Sequence, residues 1–243
     1  MKALIDGDLI VYKAGFGAQS KSTDVPVKNS LHNARTMLKH QIATLRKYFS
    51  IDEVYLYLTS DDKSNFRFEV AKTQVYKGNR TQPKPIHYKQ IRKYLRDAFK
   101  ATVVFNEEAD DAIGKKSQEL KDQCVIVSAD KDLRMLPGWH WEMNDRTPFY
   151  VSELGQLLLE RRTGSRCQLF GTGQCWFYAQ LLLGDKADNI PGVKGYGDVK
   201  TYHALKDCRH VLDLHATTKR IYKQEGLDEA RYQEISELLW IRR

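Results

Sequence analysis

The chain has 243 residues, 42% of them hydrophobic, enough to bury a full core in one domain with or without an appendage and too few for a large multidomain assembly. Lys and Arg number 39 against 31 Asp and Glu, a formal charge of +8 that suits a polyanionic partner without requiring one. Cys124, Cys167, Cys175 and Cys208 show no C-x-x-C spacing, which excludes a standard zinc site or dense disulfide framework and points to reduced thiols. The opening Met1 to Asp6 turns acidic too soon for a signal peptide, and no apolar run approaches membrane-spanning length, so a soluble cytoplasmic protein is expected.

In chain order, short runs rich in Val, Ile, Leu, Tyr and Phe predict strands over Ala3 to Ile5, Val54 to Leu58, Thr102 to Phe105 and Val125 to Val127. Segments of helical period alternate with them, the pattern of a parallel α/β sheet. Leu31, Ala34, Leu38, Ile42, Leu45 and Phe49 recur at helical spacing behind Ser30, a candidate N-cap. Ile86 to Phe99 reads as a basic helix carrying Lys89, Arg92, Lys93 and Arg96. Beyond about residue 150 the strand signals stop and short helices with Gly-rich turns are expected, ending in a packing helix over Asp228 to Trp240. The expected organisation is an α/β half over 1–150 closely packed on a helical half over 151–243, joined near Pro148 to Ser152.

Carboxylates follow each predicted strand: Asp6 and Asp8, then Asp61 and Asp62, then Glu107, Glu108, Asp110 and Asp111, then Asp130 and Asp132. A parallel sheet ends all its strands at one edge, so these clusters should converge. Any one pair is explained by a helix cap or a solvated turn. Four at one edge need cations to neutralise them, and oxygen donors without His or Cys select Mg²⁺ or Mn²⁺ over zinc. Asp6-Gly7-Asp8 also suits a haloacid-dehalogenase-like phosphatase, but Leu9-Ile10 lacks the Thr that family needs.

The sharpest signal is Gly184-Asp185-Lys186-Ala187-Asp188-Asn189-Ile190-Pro191-Gly192-Val193-Lys194-Gly195-Tyr196-Gly197. Gly192, Gly195 and Gly197 permit a tight turn between helices whose backbone can meet a phosphate or a monovalent cation such as K⁺. Lys194 and Lys200 would add charge to that surface. By contrast, Phe170-Gly171-Thr172-Gly173 reads as a surface turn rather than a phosphate loop. His203, Cys208, His210 and His215 fit helix faces better than zinc, while Trp176, Phe177, Leu181 and Leu182 are simplest as core.

This segment resembles the helix–three-turn–helix of the 5′-nuclease (flap endonuclease) family, including its free-standing bacteriophage exonucleases. Ile5-Asp6-Gly7, Tyr76-Lys77-Gly78-Asn79-Arg80, Glu108-Ala109-Asp110-Asp111-Ala112-Ile113 and Ser128-Ala129-Asp130-Lys131-Asp132-Leu133 match further motifs in the family's order. The resemblance implies a PIN-like, mostly parallel α/β sheet flanked by helices, with a C-terminal helical part containing the DNA-binding motif. It implies 5′-to-3′ exonuclease or flap-endonuclease action on DNA with free 5′ ends, flaps or nicks, by a monomer using two Mg²⁺ ions for which Mn²⁺ can substitute. One ion would be held by Asp6, Glu108, Asp110 and one of Asp61 or Asp62, with Asp61 favoured and Asp111 close by. The other would be held through Asp130, Asp132, Asp185 and Asp188.

In the two-metal logic of phosphodiester hydrolysis, the carboxylates hold the ions and none need be the nucleophile. Lys77 and Arg80 would stabilise phosphoryl charge, and Tyr76 would stack on a frayed terminal base. Lys72, Lys84, Lys89, Arg92 and Arg96 would funnel a strand inward. Only Thr81 to Pro85 precede the next helix, too short for a large clamp. Setting aside the ten proposed metal-site acids raises the formal charge on the rest from +8 to +18, so affinity should fall steeply with salt. Lacking a polymerase region, the chain is expected to act alone in phage replication or recombination, in the cytoplasm of a bacterial host. The competing readings are a PIN-type ribonuclease and a catalytically silent, structure-specific DNA-binding protein.

Overall fold

The computed structural model describes residues 1–19, 25–62, 64–162 and 166–243. In chain order, β1 (Lys2–Asp6) leads into α1 (Gly7–Gln19) and α2 (Val27–Leu45), then β2 (Glu53–Thr59), a single turn α3 (Arg67–Val70), α4 (Tyr88–Phe99) and β3 (Thr102–Val104). Next come α5 (Ala109–Leu120), β4 (Cys124–Ser128), β5 (Gly138–Glu142) and β6 (Thr147–Val151). The remainder is β7 (Gln156–Arg161), β8 (Cys167–Thr172), α6 (Gly173–Leu183), the two-residue strands β9 (Gly184–Asp185) and β10 (Ile190–Pro191), then α7 (Asp198–Leu205), α8 (Val211–Gln224) and α9 (Glu229–Leu239).

The main sheet runs β3-β2-β1-β4-β5-β6, parallel except for β6, which returns antiparallel on β5. Its central strands are apolar on both faces because helices cover both. Ala3, Ile5, Leu56, Leu58, Val125 and Val127 pack with α1, α2 and α4 residues such as Ile10, Leu38, Ile91 and Leu95. The alternate positions Leu4, Tyr57 and Ile126 face the other way, into a core with Ile113 of α5 and the helices beyond residue 172. The PIN-like sheet expected from the sequence is thus present, and residues from both sides of position 150 share that second core. Among the described residues no helix is long and apolar enough to cross a membrane.

Several local expectations need correction. Strands do not stop at residue 150: β7 and β8 form an antiparallel hairpin. Phe170, Gly171 and Thr172 lie in β8, and Gly173 begins α6, so the segment is a strand-to-helix junction and not a surface turn. The second helix begins at Val27 behind Pro26, and Ser30 is no cap. It is buried in the helix interior, 3.1 Å from His87 Nδ1. The C-terminal helix does start behind Asp228, which accepts the Arg231 N–H at 2.8 Å.

Candidate functional site

The carboxyl edge of the sheet collects the acids because each parallel strand delivers its following residue there. Asp6 ends β1, Asp130 follows β4, and α5 opens with Glu108 as its N-cap and Asp110 in its first turn. A cleft of about 420 Å³ lies over this edge, lined by Glu108, Asp110, Asp130, Asp132, Asp185 and Asp188 together with Lys77, Arg80 and Lys131. Leu9, Leu238, Leu239 and Ile241 form its apolar wall. Asp6 is buried, accepting the Leu9 N–H at 3.1 Å and the Ser128 hydroxyl at 3.0 Å.

Cations balance only part of this set. Lys77 pairs with Glu108 and approaches Asp188, which also binds Arg80. Lys131 bridges Asp132 at 2.8 Å and Asp185 at 2.7 Å. Among the described residues no cation pairs with Asp6, Asp110 or Asp130, and burial together with mutual repulsion raises three carboxyls of the cluster. Burial, then the charges of Asp8 and Asp130, pushes Asp6 up to about 7. Burial and the Asp130 charge push Asp132 to about 7 against the pull of Lys131. Asp110 lies well above the carboxylate range through burial and the surrounding Asp130, Asp6, Glu108 and Asp132. For Asp188 burial acts upward, but Lys77 and Arg80 outweigh it and hold the carboxyl low.

An all-oxygen donor set with uncompensated negative charge suits a hard divalent cation. Among the described residues no three of these side chains yet close around a common point. Lys77, Arg80 and Lys131 occupy several of the carboxylate oxygens instead.

Other expected site residues are placed elsewhere. Asp61 and Asp62 do not line the cleft. Asp61 accepts from Lys84 at 2.5 Å and from the Tyr88 hydroxyl at 2.9 Å, and Asp62 caps the turn at Ser64. Asp111 is fully buried in a two-bond pair with Arg67, at 2.5 and 2.9 Å, and so is not free to hold an ion. Arg92, expected on an exposed basic face, is buried against Asp8 and the Thr59 carbonyl. Tyr76 is also buried, edge-on to Phe68 with its hydroxyl on Asp188 at 2.7 Å, so its ring is not presented to a base. Lys72 is exposed, its N–H on Glu234, and Lys84 is held by Asp61.

The Gly-rich segment links α6 to α7. Gly192 passes so close to the end of α6 that a Cβ there would meet the Leu182 carbonyl at 2.4 Å, and Gly195 has φ +78°, a conformation side chains disfavour. Gly197 is the N-cap of α7; Lys194 is exposed, and Lys200 stacks 3.8 Å over the Tyr196 ring. Sequence reasoning missed Lys131 as a cleft residue, although a lysine flanked by Asp130 and Asp132 signals charge compensation. It also missed Ser128 and Gln180, whose side chains hold Asp6 and Asp132. Neither residue type carries a signal for that role.

Comparison with known proteins agrees with this architecture. A family model described as the 5′-3′ exonuclease, N-terminal resolvase-like domain matches residues 1–153, and the chain belongs to that family. Relatives include DNA polymerase I of Bacillus caldotenax, 28% identical over 240 residues that make up 95% of this chain and 26% of the polymerase. The chain therefore spans about a quarter of that relative. A 5′-3′ exonuclease of Buchnera aphidicola is 26% identical over 90% of this chain and 74% of its own length. A T5 protein co-crystallised with metal ions superposes with a TM-score of 0.61 at 19% identity, covering 98% of this chain and 88% of its own. The bacteriophage T5 flap endonuclease in a complex with DNA and metal ions gives 0.58 at 20% identity, with 98% and 85% covered. At that identity the likeness is one of fold.

Proposed function

We propose that this chain is a divalent-metal-dependent nuclease that hydrolyses DNA phosphodiesters from 5′ ends or at flaps, with Mg²⁺ as the ion and Mn²⁺ able to replace it. The observation that carries the reading is the trio Asp6, Asp110 and Asp130, three carboxylates brought to one sheet edge with no protein cation paired to them among the described residues. The cost of holding Asp6 and Asp110 there, beside Asp130, makes sense as a site that recruits cations. The T5 structures hold metal ions, one of them with DNA, on the same fold.

Asp6, Glu108, Asp110, Asp130, Asp132, Asp185 and Asp188 are the candidate ligands, some through water. Ions bound there supply Lewis-acid polarisation of a phosphodiester and lower the pKa of attacking water. Lys77 and Arg80 line the same cleft and would exchange Glu108 and Asp188 for phosphoryl oxygens. Leu9, Leu238, Leu239 and Ile241, lining the wall, would limit water there. The passage from α6 to α7 acts as a helix–three-turn–helix: Gly192, Gly195, Gly197, Lys194 and Lys200 grip the DNA backbone without reading bases, with K⁺ as a candidate ion on its carbonyls. The unit 1–150 would supply most of the candidate ligands, and 151–243 would add Asp185 and Asp188 and carry the grip on DNA.

Calorimetric titration of Mg²⁺ and Mn²⁺ into chelator-stripped protein tests the site directly. Binding by the parent, with loss of both binding and DNA cleavage in Asp110→Asn and Asp130→Asn, supports the reading. Full cleavage in chelator, or by these variants, contradicts it.

A further inference from the structure

Residues 75–80 and the loop from Gly184 to Pro191 are joined by bonds between groups 107 to 114 positions apart in the chain. Two asparagines make reciprocal side-chain bonds with the opposite backbone. Asn79 donates through Nδ2 to the Lys186 carbonyl at 2.6 Å, and Asn189 donates through Nδ2 to the Val75 carbonyl at 2.9 Å. Between them, the Lys77 N–H reaches the Asp188 carbonyl at 2.8 Å and Arg80 Nε reaches the Ala187 carbonyl at 3.3 Å. Lys77 and Asn189 both hold positive φ, 56° and 59°. Asn tolerates that conformation better than most residues, whereas at Lys77 it is a local cost.

The loop gripped in this way is itself braced. Gly184 and Asp185 pair with Pro191 and Ile190, and Gly192 follows directly, with the Val193 N–H fixed on the Leu182 carbonyl at 2.8 Å. The basic segment is thus tied to a ladder that continues into the glycine turn. Asn79 and Asn189 do not line the acidic cleft.

On the nuclease reading above, we infer that Asn79 and Asn189 are positioning residues: a reciprocal amide clamp that fixes Lys77 and Arg80 at a set span from the glycine turn. DNA held by the turn is then presented to the two cations in register with the carboxylates. Without the clamp, the turn still grips DNA, but Lys77 and Arg80, left with their bonds to Ala187, Glu108 and Asp188, are held less firmly relative to the held phosphate.

The test uses the full chain with Asn79→Ala and Asn189→Gly, singly and combined. Asn79 is exposed and glycine accepts the φ of residue 189, so both variants keep the fold, which melting curves verify. Two quantities are read: affinity for a 5′-overhang duplex in chelator, and the single-turnover cleavage rate with Mg²⁺. The expected result is unchanged affinity with a rate on the order of tenfold lower in the double variant, within the scale of the two hydrogen bonds removed. Partial recovery is expected in Asn79→Gln, which keeps an amide donor. Unchanged rates would overturn the inference, as would affinity falling in step with rate, which would make the asparagines part of the turn's shape only. A parent that binds DNA and never cuts it would overturn the nuclease reading and this one together. A parent that cuts beside unaffected variants would sink this one alone.

Discussion

Replacing Arg67 with alanine should be among the most damaging single substitutions outside the apolar core. The guanidinium is 4% exposed and the Asp111 carboxylate it faces is fully buried. The substitution removes four hydrogen bonds at once: two to Asp111, one to the Leu238 carbonyl at 2.9 Å and one to the Trp240 carbonyl at 2.8 Å. Among the described residues, Asp111 would keep only the backbone N–H groups of Glu108 and Arg242. Removing one partner of such a pair costs about 3–5 kcal/mol, because a buried charge is left uncompensated. For a chain of this size that lowers Tm by roughly 6–20 °C. The damage should reach the cleft, since Leu238, Leu239 and Ile241 line its wall and Arg67 holds the Leu238 and Trp240 carbonyls within that stretch. Urea and thermal melts of Arg67→Ala, Asp111→Ala and the apolar pair Arg67→Met with Asp111→Leu form the assay. The apolar pair should regain most of the lost stability, as matched hydrophobic replacements of buried ion pairs do. A loss below about 1 kcal/mol in Arg67→Ala would refute the reasoning, since that is the scale of an exposed pair.

Asp110→Asn, a neutral isostere at an unpaired acid, should melt higher than the parent in chelator by about 0.5–2 kcal/mol and gain nothing from Mg²⁺, as measured by differential scanning calorimetry. His140 is buried with Nε2–H on the Leu136 carbonyl at 2.8 Å, and burial pushes its pKa from 6.5 to about 4. Between those values the unfolded chain takes up a proton that the native chain refuses. The stability tied to the neutral ring is therefore complete above pH 6.5 and falls as pH drops toward 4, by roughly 3 kcal/mol in all. The raised carboxyls of Asp6 and Asp132 act with the opposite sign, gaining stability as pH falls from about 7. Denaturant melts should therefore be read as the difference between the parent and His140→Phe, which should vary with pH in this window; a flat difference would contradict the assignment. Affinity for DNA in chelator should fall steeply with salt, and Lys194→Ala with Lys200→Ala should lower that slope by about one for each phosphate no longer neutralised.

What was legible in the sequence follows from periodicity. β1, β2 and β4 are continuous apolar runs because helices bury both their faces, and parallel order alone then gathers Asp6, Glu108, Asp110 and Asp130 at one edge. The β5–β6 hairpin escaped notice because Gly138-Trp139-His140-Trp141-Glu142 has no β-branched residue, although Trp141 and His140 are both buried there. Leu157, Leu158 and Leu159 fall where short helices are expected, and their pairing with β8 makes them strand. Arg92 takes its expected place from the basic helix that carries it, and Asp111 and Tyr76 take theirs from the motif resemblance. Their fates depend on partners 84, 44 and 112 positions away, which spacing cannot reveal. For Asp61 the deciding neighbours are Lys84 and Tyr88, which draw it away from the cleft.

The central claim, a metal-dependent nuclease acting from 5′ ends, is tested most directly by incubating the full chain with 5′-labelled and 3′-labelled duplex and flap DNA, in Mg²⁺ or chelator, beside Asp130→Ala. The account predicts short labelled products from the 5′-labelled strand only, abolished by chelator and by the substitution. Tight DNA binding without cleavage under any divalent ion, or cleavage that survives chelator, would contradict it.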